Sequence, residues 1–198
     1  MNFRIENKYL INKENHSDFF EFLNKNSAKV LYPKREISSI YFDNSELKSY
    51  FDSIEGSLPR KKIRIRCYPN NDIKNIKNNL EIKINSIEGR YKEVKKDIDE
   101  KKYMIHGYFD SQYGLCKPII KVGYIREYFK IFDFRATLDK SIYFQKYNSK
   151  NFKLESESII LEIKSDDINK INEIEELIPF QKIRYSKFCN GLEKFDLV

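Results

Sequence analysis

Several short segments of the sequence alternate charged with apolar residues, and their charges combine two kinds of chemistry. Lys62, Arg64 and Arg66 follow one another at every second position, and Glu162 stands two residues before Lys164. Ammonium and guanidinium groups bind phosphate oxygens, whereas isolated carboxylates are hard oxygen ligands for divalent cations. A polyanion rich in phosphate, together with a divalent cation, would need this combination of residues.

The same spacing of a carboxylate and a lysine recurs at Glu6 and Lys8 and at Glu81 and Lys83. Because side chains alternate between the two faces of a strand, residues two apart share one face. A row of cations on one face repels itself unless an anion lies between its members. Two arrangements remain open: the charged face meets water, or the sheet closes with this face around a linear phosphate chain.

Short runs rich in Ile, Tyr and Phe predict the strands that carry these charges. The predicted strands are Phe3–Ile11, Ile37–Asp43, Arg60–Tyr68, Leu80–Ile84, Arg90–Asp97, Val122–Phe129, Arg135–Tyr143 and Ile159–Lys164. Eight such runs in 198 residues are typical of a large antiparallel sheet or a barrel. An eight-stranded barrel leaves room inside for side chains and one slender ligand.

Helices are predicted between the strands. Ser17 is a suitable cap for a helix over 17–26, and Ser45 begins a short helical turn. A helix over about 166–178 has its apolar residues at helical spacing. The segment 97–115 is predicted to be helical in part, without defined ends.

Composition narrows the class of protein. The net charge of +7 favours an anionic partner, although a lysine-rich solvated surface has the same effect. The length suffices for one domain over residues 1–198 with its own core. No apolar run approaches the 18 residues or so that a membrane helix needs. Because the N-terminus also lacks an apolar signal core, we expect a cytoplasmic protein.

The scarcity of cysteine and histidine excludes several chemistries. Cys67, Cys116 and Cys189 are far apart and indicate reduced thiols, without the spacing of a disulfide framework or a zinc site. A hydrolase with a Ser-His-Asp or Cys-His centre would have to use His16 or His106, the only imidazoles. The sequence also lacks the glycine-rich motifs of P-loop and Rossmann nucleotide sites.

Nine segments in order resemble the polyphosphate polymerase domain of the vacuolar transporter chaperone (VTC) family, over nearly the whole chain. They are Arg-Ile-Glu-Asn-Lys-Tyr (4–9), Ser-Ile-Tyr-Phe-Asp-Asn (39–44), Lys-Ile-Arg-Ile-Arg-Cys-Tyr (62–68), Leu-Glu-Ile-Lys (80–83), Tyr-Lys-Glu-Val-Lys (91–95), Tyr-Ile-Arg-Glu-Tyr-Phe (124–129), Arg-Ala-Thr-Leu-Asp (135–139), Leu-Glu-Ile-Lys (161–164) and Arg-Tyr-Ser-Lys-Phe-Cys-Asn-Gly (184–191). The broader superfamily opens with Glu-x-Glu-x-Lys. Here Arg4 replaces the first Glu, which favours the VTC branch over the hydrolases.

The resemblance implies an α+β, mainly β fold: a closed antiparallel eight-stranded β-barrel, the triphosphate tunnel of the CYTH-like metalloenzymes, with flanking helices. It implies transfer of the γ-phosphate of ATP onto inorganic polyphosphate, with Mn²⁺ or Mg²⁺. The implied catalytic residues are Lys8, Arg64, Arg66, Lys83, Arg126 and Lys187. The implied substrate-binding residues are Lys62, Lys92, Arg135, Lys164, Arg184 and Ser186, and Glu162 would hold the metal.

Other functions remain open on the sequence. The same fold could serve an inorganic triphosphatase or nucleotidase, in which Glu81 or Glu6 helps to activate a water. It could also serve a polyphosphate-binding module with little or no catalytic activity. A nucleic-acid binder would stack bases on its many aromatic residues, but the regular alternation of charges favours a lined interior, so no nucleic-acid partner is expected. A membrane or transport partner is left undetermined.

Overall fold

The computed structural model describes residues 5–69, 78–132, 134–155, 157–165 and 167–198. Within these ranges eleven strands form one antiparallel sheet in the order β11-β1-β10-β8-β7-β2-β3-β4-β5, with β6 beside β7 and β9 beside β8. The strands are β1 Ile5–Ile11, β2 Lys29–Asp43, β3 Arg60–Cys67, β4 Asn79–Ser86, β5 Gly89–Lys95, β6 Tyr108–Asp110, β7 Gly114–Ile131, β8 Phe134–Lys146, β9 Phe152–Leu154, β10 Ile159–Ser165 and β11 Gln181–Lys182. A mainly β, antiparallel architecture is thereby confirmed.

Each of the eight predicted strands has a counterpart in the sheet, although Phe3 and Arg4 lie outside the described residues. Strands β6, β9 and β11 were not predicted, because two or three residues are too few to show alternation. Strands β2 and β7 extend well beyond their predicted bounds, through Pro33 and Pro118. The register between them shifts near both prolines, and such bulges accommodate a residue that cannot donate to the ladder.

The prediction of a closed eight-stranded barrel is wrong. The described strands end at β11 on one side and β5 on the other, and these two do not pair. With only two residues, β11 offers too few backbone groups to continue the ladder. Ion pairs span the opening instead: Glu6 accepts a hydrogen bond from Lys83 at 2.8 Å, and Arg90 lies 3.8 Å from the same carboxylate.

Five helices and one 3-10 turn, Lys13–Asn15, lie among the described residues: α1 His16–Lys25, α2 Lys48–Glu55, α3 Glu100–His106, α4 Ile168–Leu177 and α5 Lys187–Lys194. Helices α1 and α4 confirm the predictions over 17–26 and 166–178, of which residue 166 is not described. The cap of α1 is Asn15 rather than Ser17. Helix α2 follows the turn predicted at Ser45, and α3 lies inside 97–115. Helix α5 was not predicted. None of these helices has the length and apolarity to cross a membrane.

The two faces of the sheet differ in what covers them. Buried residues of α1 and α4, such as Phe19 and Ile174, pack on the apolar face of β1, β8 and β10. A second apolar cluster covers the same face of β3 and β4, beside Tyr113. Helix α5 packs at one end of the opposite face, where Phe188 stacks on Tyr41 with ring centroids 5.2 Å apart. The remainder of that face carries the charged residues.

Candidate functional site

The charged face of the sheet curves around a cavity of about 390 Å³. Among the described residues, ten Lys or Arg side chains and two Glu side chains line it, with contributions from six strands and α5. Eleven of the predicted site residues are in this lining: Lys8, Lys62, Arg64, Arg66, Lys83, Lys92, Arg126, Glu162, Lys164, Ser186 and Lys187. The charged face therefore lines a cavity, as the second arrangement required, although the sheet that carries it is not closed.

Two predicted site residues lie outside the lining. The Arg184 guanidinium donates a hydrogen bond to the Ser53 carbonyl at 2.6 Å, which directs it towards α2. Arg135 is exposed, and its guanidinium lies over the rings of Tyr32 and Tyr128, 5.8 and 5.7 Å from their centroids. Neither side chain is positioned in the cavity, although Arg135 lies on the same face of the sheet.

Arg126 and Lys187 are held in place by a carboxylate that the sequence did not mark as functional. Asp139, fully buried on β8, accepts two hydrogen bonds from Arg126, at 2.6 and 2.7 Å, and one from Lys187 at 2.5 Å. Burial alone would raise the pKa of Asp139, but the two cations lower it to about 2. Charge-assisted, bidentate contacts of this kind fix both cations before any ligand arrives.

A second buried carboxylate, Glu81, organises three cations on β3 and β5. Arg64 donates to it twice, at 2.8 and 2.6 Å, and Lys92 donates at 2.7 Å, while Arg66 lies 3.6 Å away. Burial alone would raise the pKa of Glu81, yet the neighbouring arginines and Lys92 lower it to about 2. A carboxylate so weakly basic and so fully engaged is a poor base for activating water.

Glu162 lies among several cations of the cavity. Lys164 lies 2.9 Å from one of its oxygens and Arg126 lies 3.8 Å from the other. Burial would raise the pKa of Glu162, but Lys164, Lys8 and Arg126 hold it well below its ordinary value. Burial in turn lowers the pKa of Lys8 to about 8, and its ammonium donates to the Tyr185 carbonyl at 2.6 Å. Glu162 is therefore an anion at neutral pH.

Few oxygen groups around Glu162 would be available to a divalent cation. Glu6 is a second carboxylate within reach, since Lys164 lies 3.6 Å from it. The hydroxyl of Thr137, paired with Glu162 in the strand register, is buried and has no hydrogen-bond partner among the described residues. The described residues contain no group of three or more His, Cys, Asp or Glu suited to a metal. Phosphate oxygens and water would complete the coordination, as is usual for Mg²⁺.

Ser186 has two roles at the start of α5. Its hydroxyl accepts a hydrogen bond from Lys62 at 2.7 Å, and it also caps the helix by accepting from the backbone N–H of Cys189 at 3.4 Å. The cap places Lys187 at the first position of α5, directed into the cavity. The motif around Ser186 therefore contributes to the cavity by starting the helix that carries Lys187.

Several residues of the cavity were missed as site residues by sequence reasoning. They are Glu6, Tyr41, Arg90, Tyr91, Tyr124 and Tyr185. Strand alternation was a usable signal for Glu6 and Arg90, which share a face with predicted site residues. The tyrosines gave no such signal, because aromatic residues on strands are usually core. Tyr41 is engaged by the site: its hydroxyl accepts a hydrogen bond from Arg64 at 2.9 Å.

The buried carboxylates predict a specific loss of stability in acid. The pKa values of Asp139 and Glu81 are about 2 in the folded state, below their ordinary values of 3.8 and 4.5. Their contribution to the free energy of unfolding is therefore complete above about pH 5 and is lost as the pH falls towards 2. Urea unfolding between pH 7 and pH 2.5 measures this loss. Glu157→Gln, at an exposed pair with Lys13, is the control and is expected to keep the acid dependence. Equal stability at pH 5 and pH 2.5 would contradict the prediction.

Comparisons with known proteins agree with this geometry. The family model described as the VTC domain matches residues 3–109 and 106–196. A solved structure from Vibrio parahaemolyticus, provisionally named an adenylate cyclase, is 16% identical with a TM-score of 0.51, over 88% of this chain and 83% of that chain. A chain in the structure of the Schizosaccharomyces pombe Mediator head module is 8% identical with a TM-score of 0.54, over 90% and 96%. These two likenesses show the fold alone. No curated protein sequence matches.

Proposed function

The chain belongs to the VTC domain family, and from this membership we propose that it transfers the γ-phosphate of ATP onto a growing chain of inorganic polyphosphate. The observation that carries the proposal is the lining of the cavity, where cations from β1, β3, β4, β5, β7, β10 and α5 meet around few carboxylates. Such a surface suits a linear polyanion with several phosphate groups. Residues 1–198 would act as one domain in this reaction.

Preorganised cations would supply most of the catalysis. In phosphoryl transfer an enzyme mainly positions the reactants and neutralises the charge that develops on the transferred group. Asp139 holds Arg126 and Lys187 in place, and Glu81 holds Arg64, so these groups need not reorganise when substrate binds. The acceptor is a terminal phosphate that is already ionised at neutral pH. Transfer to it requires no strong base, which agrees with a lining that lacks histidine among the described residues.

Mn²⁺ or Mg²⁺ would be held by Glu162, with Glu6 as the second carboxylate of this chain within reach. When bound, the metal would offset negative charge on the phosphate groups. The role of Lys164 and Lys8 is to keep Glu162 ionised, because both lower its pKa. Hydrolysis of a triphosphate in the same cavity is less well supported, since Glu81 is engaged by cations and outside the lining.

The proposal is tested with purified protein, ATP and Mn²⁺, with and without a short polyphosphate primer. We expect polyphosphate that lengthens with time on a stained gel, with release of ADP. Lys13→Gln removes a positive charge outside the cavity and serves as a control for net charge. Orthophosphate without chain growth would contradict the proposal and indicate a hydrolase. Tight binding of polyphosphate with neither product would also contradict it and indicate a binding module.

A further inference from the structure

A second group of cations lies on the charged face, outside the cavity lining. Arg35 of β2 and Arg135 of β8 flank two tyrosines, Tyr32 and Tyr128, whose rings meet edge to face with centroids 5.7 Å apart. The Arg35 guanidinium lies 5.9 Å from the Tyr128 centroid, and that of Arg135 lies 5.7 Å from the same centroid. We call these four residues the tyrosine–arginine cluster.

The tyrosine–arginine cluster continues the surface of the cavity. In the strand register Arg35 is paired with Arg126, and Arg135 is paired with Lys164. Paired residues on one face have their Cβ atoms about 5 Å apart. Tyr128 follows Arg126 by two residues on β7, a step of about 7 Å along the strand. The cluster therefore begins one residue step from the cations that surround Glu162.

The arginines of the cluster differ from those of the cavity, because no carboxylate among the described residues holds them. Arg64 and Arg126 each donate two hydrogen bonds to a buried carboxylate, whereas Arg35 and Arg135 are exposed and form no ion pair with a described residue. Two guanidinium groups beside one ring repel each other. Tyr32 is 48% exposed, so a planar aromatic surface is available next to this uncompensated charge.

We propose that the tyrosine–arginine cluster binds the base of the donor nucleotide by stacking it on Tyr32 and the neighbouring guanidinium planes. Bases stack on aromatic rings and on arginine planes, whereas a phosphate group has no flat face to stack on a tyrosine ring. The strand register places Arg126 beside Arg35 and Lys164 beside Arg135, so a triphosphate attached to this nucleotide would extend from the cluster into the cavity. The γ-phosphate would then lie deeper in the cavity, and the acceptor would approach from the side of Lys83 and Lys92.

This inference rests on the proposed function only in taking a nucleoside triphosphate as donor. It assigns Arg135 to the base, whereas the sequence resemblance implied a contact with phosphates. A competing assignment is that the cluster holds further phosphates of a long chain. The two assignments make different predictions for a ligand that has phosphates but lacks a base.

The test compares the affinities of ATP and of inorganic tripolyphosphate by calorimetry in the presence of Mg²⁺. Tyr32→Ala and Arg135→Gln are each expected to weaken ATP binding about 5- to 50-fold, in line with the loss of one stacking contact. Tripolyphosphate has no base to stack, so its affinity is expected to change less than about twofold. Phe152→Ala, at an aromatic residue that is 63% exposed on β9 and outside the lining, is the matched control and should change neither affinity.

Unchanged ATP affinity in both variants would overturn the inference, and an equal loss for both ligands would overturn it in favour of a phosphate site. Tripolyphosphate affinity also reports that each variant is folded, because it requires the intact cavity. The outcome is separable from that of the synthesis assay. A loss confined to ATP would support the base site even if no polyphosphate were made, and chain growth by a variant with unchanged ATP affinity would support the polymerase alone.

Discussion

Glu162→Gln is expected to lower the rate of polyphosphate synthesis by about 100-fold or more, the usual scale for loss of one electrostatic contact in a transition state. The amide keeps the shape of the side chain but removes its charge and weakens its hold on a divalent cation. The measurement is the initial rate of chain growth across a titration of Mn²⁺. We expect the dependence on Mn²⁺ to shift to higher concentrations together with the loss of rate.

The affinity for tripolyphosphate distinguishes a loss of metal binding in Glu162→Gln from unfolding of the variant. Without the carboxylate, Lys8, Lys164 and Arg126 face the cavity with less opposing charge. Tripolyphosphate in the absence of metal should therefore bind Glu162→Gln at least as tightly as it binds the original protein. Glu127→Gln, in a pair with Lys140 that is about one quarter exposed, is a control with the same chemical change. Full activity of Glu162→Gln at low Mn²⁺ would exclude Glu162 as the metal ligand.

Asp139→Ala is expected to reduce the free energy of unfolding by about 3–5 kcal/mol, because it leaves two buried cations without a counterion. Arg126 and Lys187 have side chains that are only 11% and 9% exposed, so water cannot replace the lost carboxylate. Urea unfolding at pH 7 measures the change. Asp139→Asn, which retains the size of the side chain, is expected to lose stability as well, because the missing element is the charge.

The matched control lies on the same pair of strands. Glu127→Ala breaks the ion pair with Lys140, which joins β7 and β8 at 3.0 Å but is about one quarter exposed. Exposed pairs contribute about 0–1 kcal/mol, so this variant should lose little. A similar loss for Asp139→Ala and Glu127→Ala would show that Asp139 does not act as the counterion of Arg126 and Lys187.

Strand alternation correctly predicted which face of several strands carries the site residues. The spacing of Lys62, Arg64 and Arg66 placed the three side chains on one face of β3, where the structure has them lining the cavity. The prediction worked because the period of two is a local property of an extended chain, independent of the rest of the fold. The same argument applied to β10, with Glu162 and Lys164.

Local patterns did not distinguish the carboxylates from one another. Glu81 and Glu162 each stand two residues before a lysine, yet the structure places Glu81 as a counterion of Arg64 and places Glu162 in the lining. Asp139 shares a strand face with Arg135, but its role as counterion was not predicted, since its partner Lys187 is 48 residues further along the chain. The environment of a carboxylate depends on cations that the fold brings from other strands. The residues next to it in sequence do not predict which cations these are.

By itself, the sequence determined the antiparallel strands, the segregation of charge to one face, and the resemblance to the VTC domain that the family match confirmed. Only the tertiary structure decided that this face points inward, that the sheet stays open beside Glu6 and Lys83, and that Arg135 lies among tyrosines. The physical reason is the separation in sequence of the residues that interact. Alternation acts between residues two apart, whereas the contact between Glu6 and Lys83 joins positions 77 residues apart.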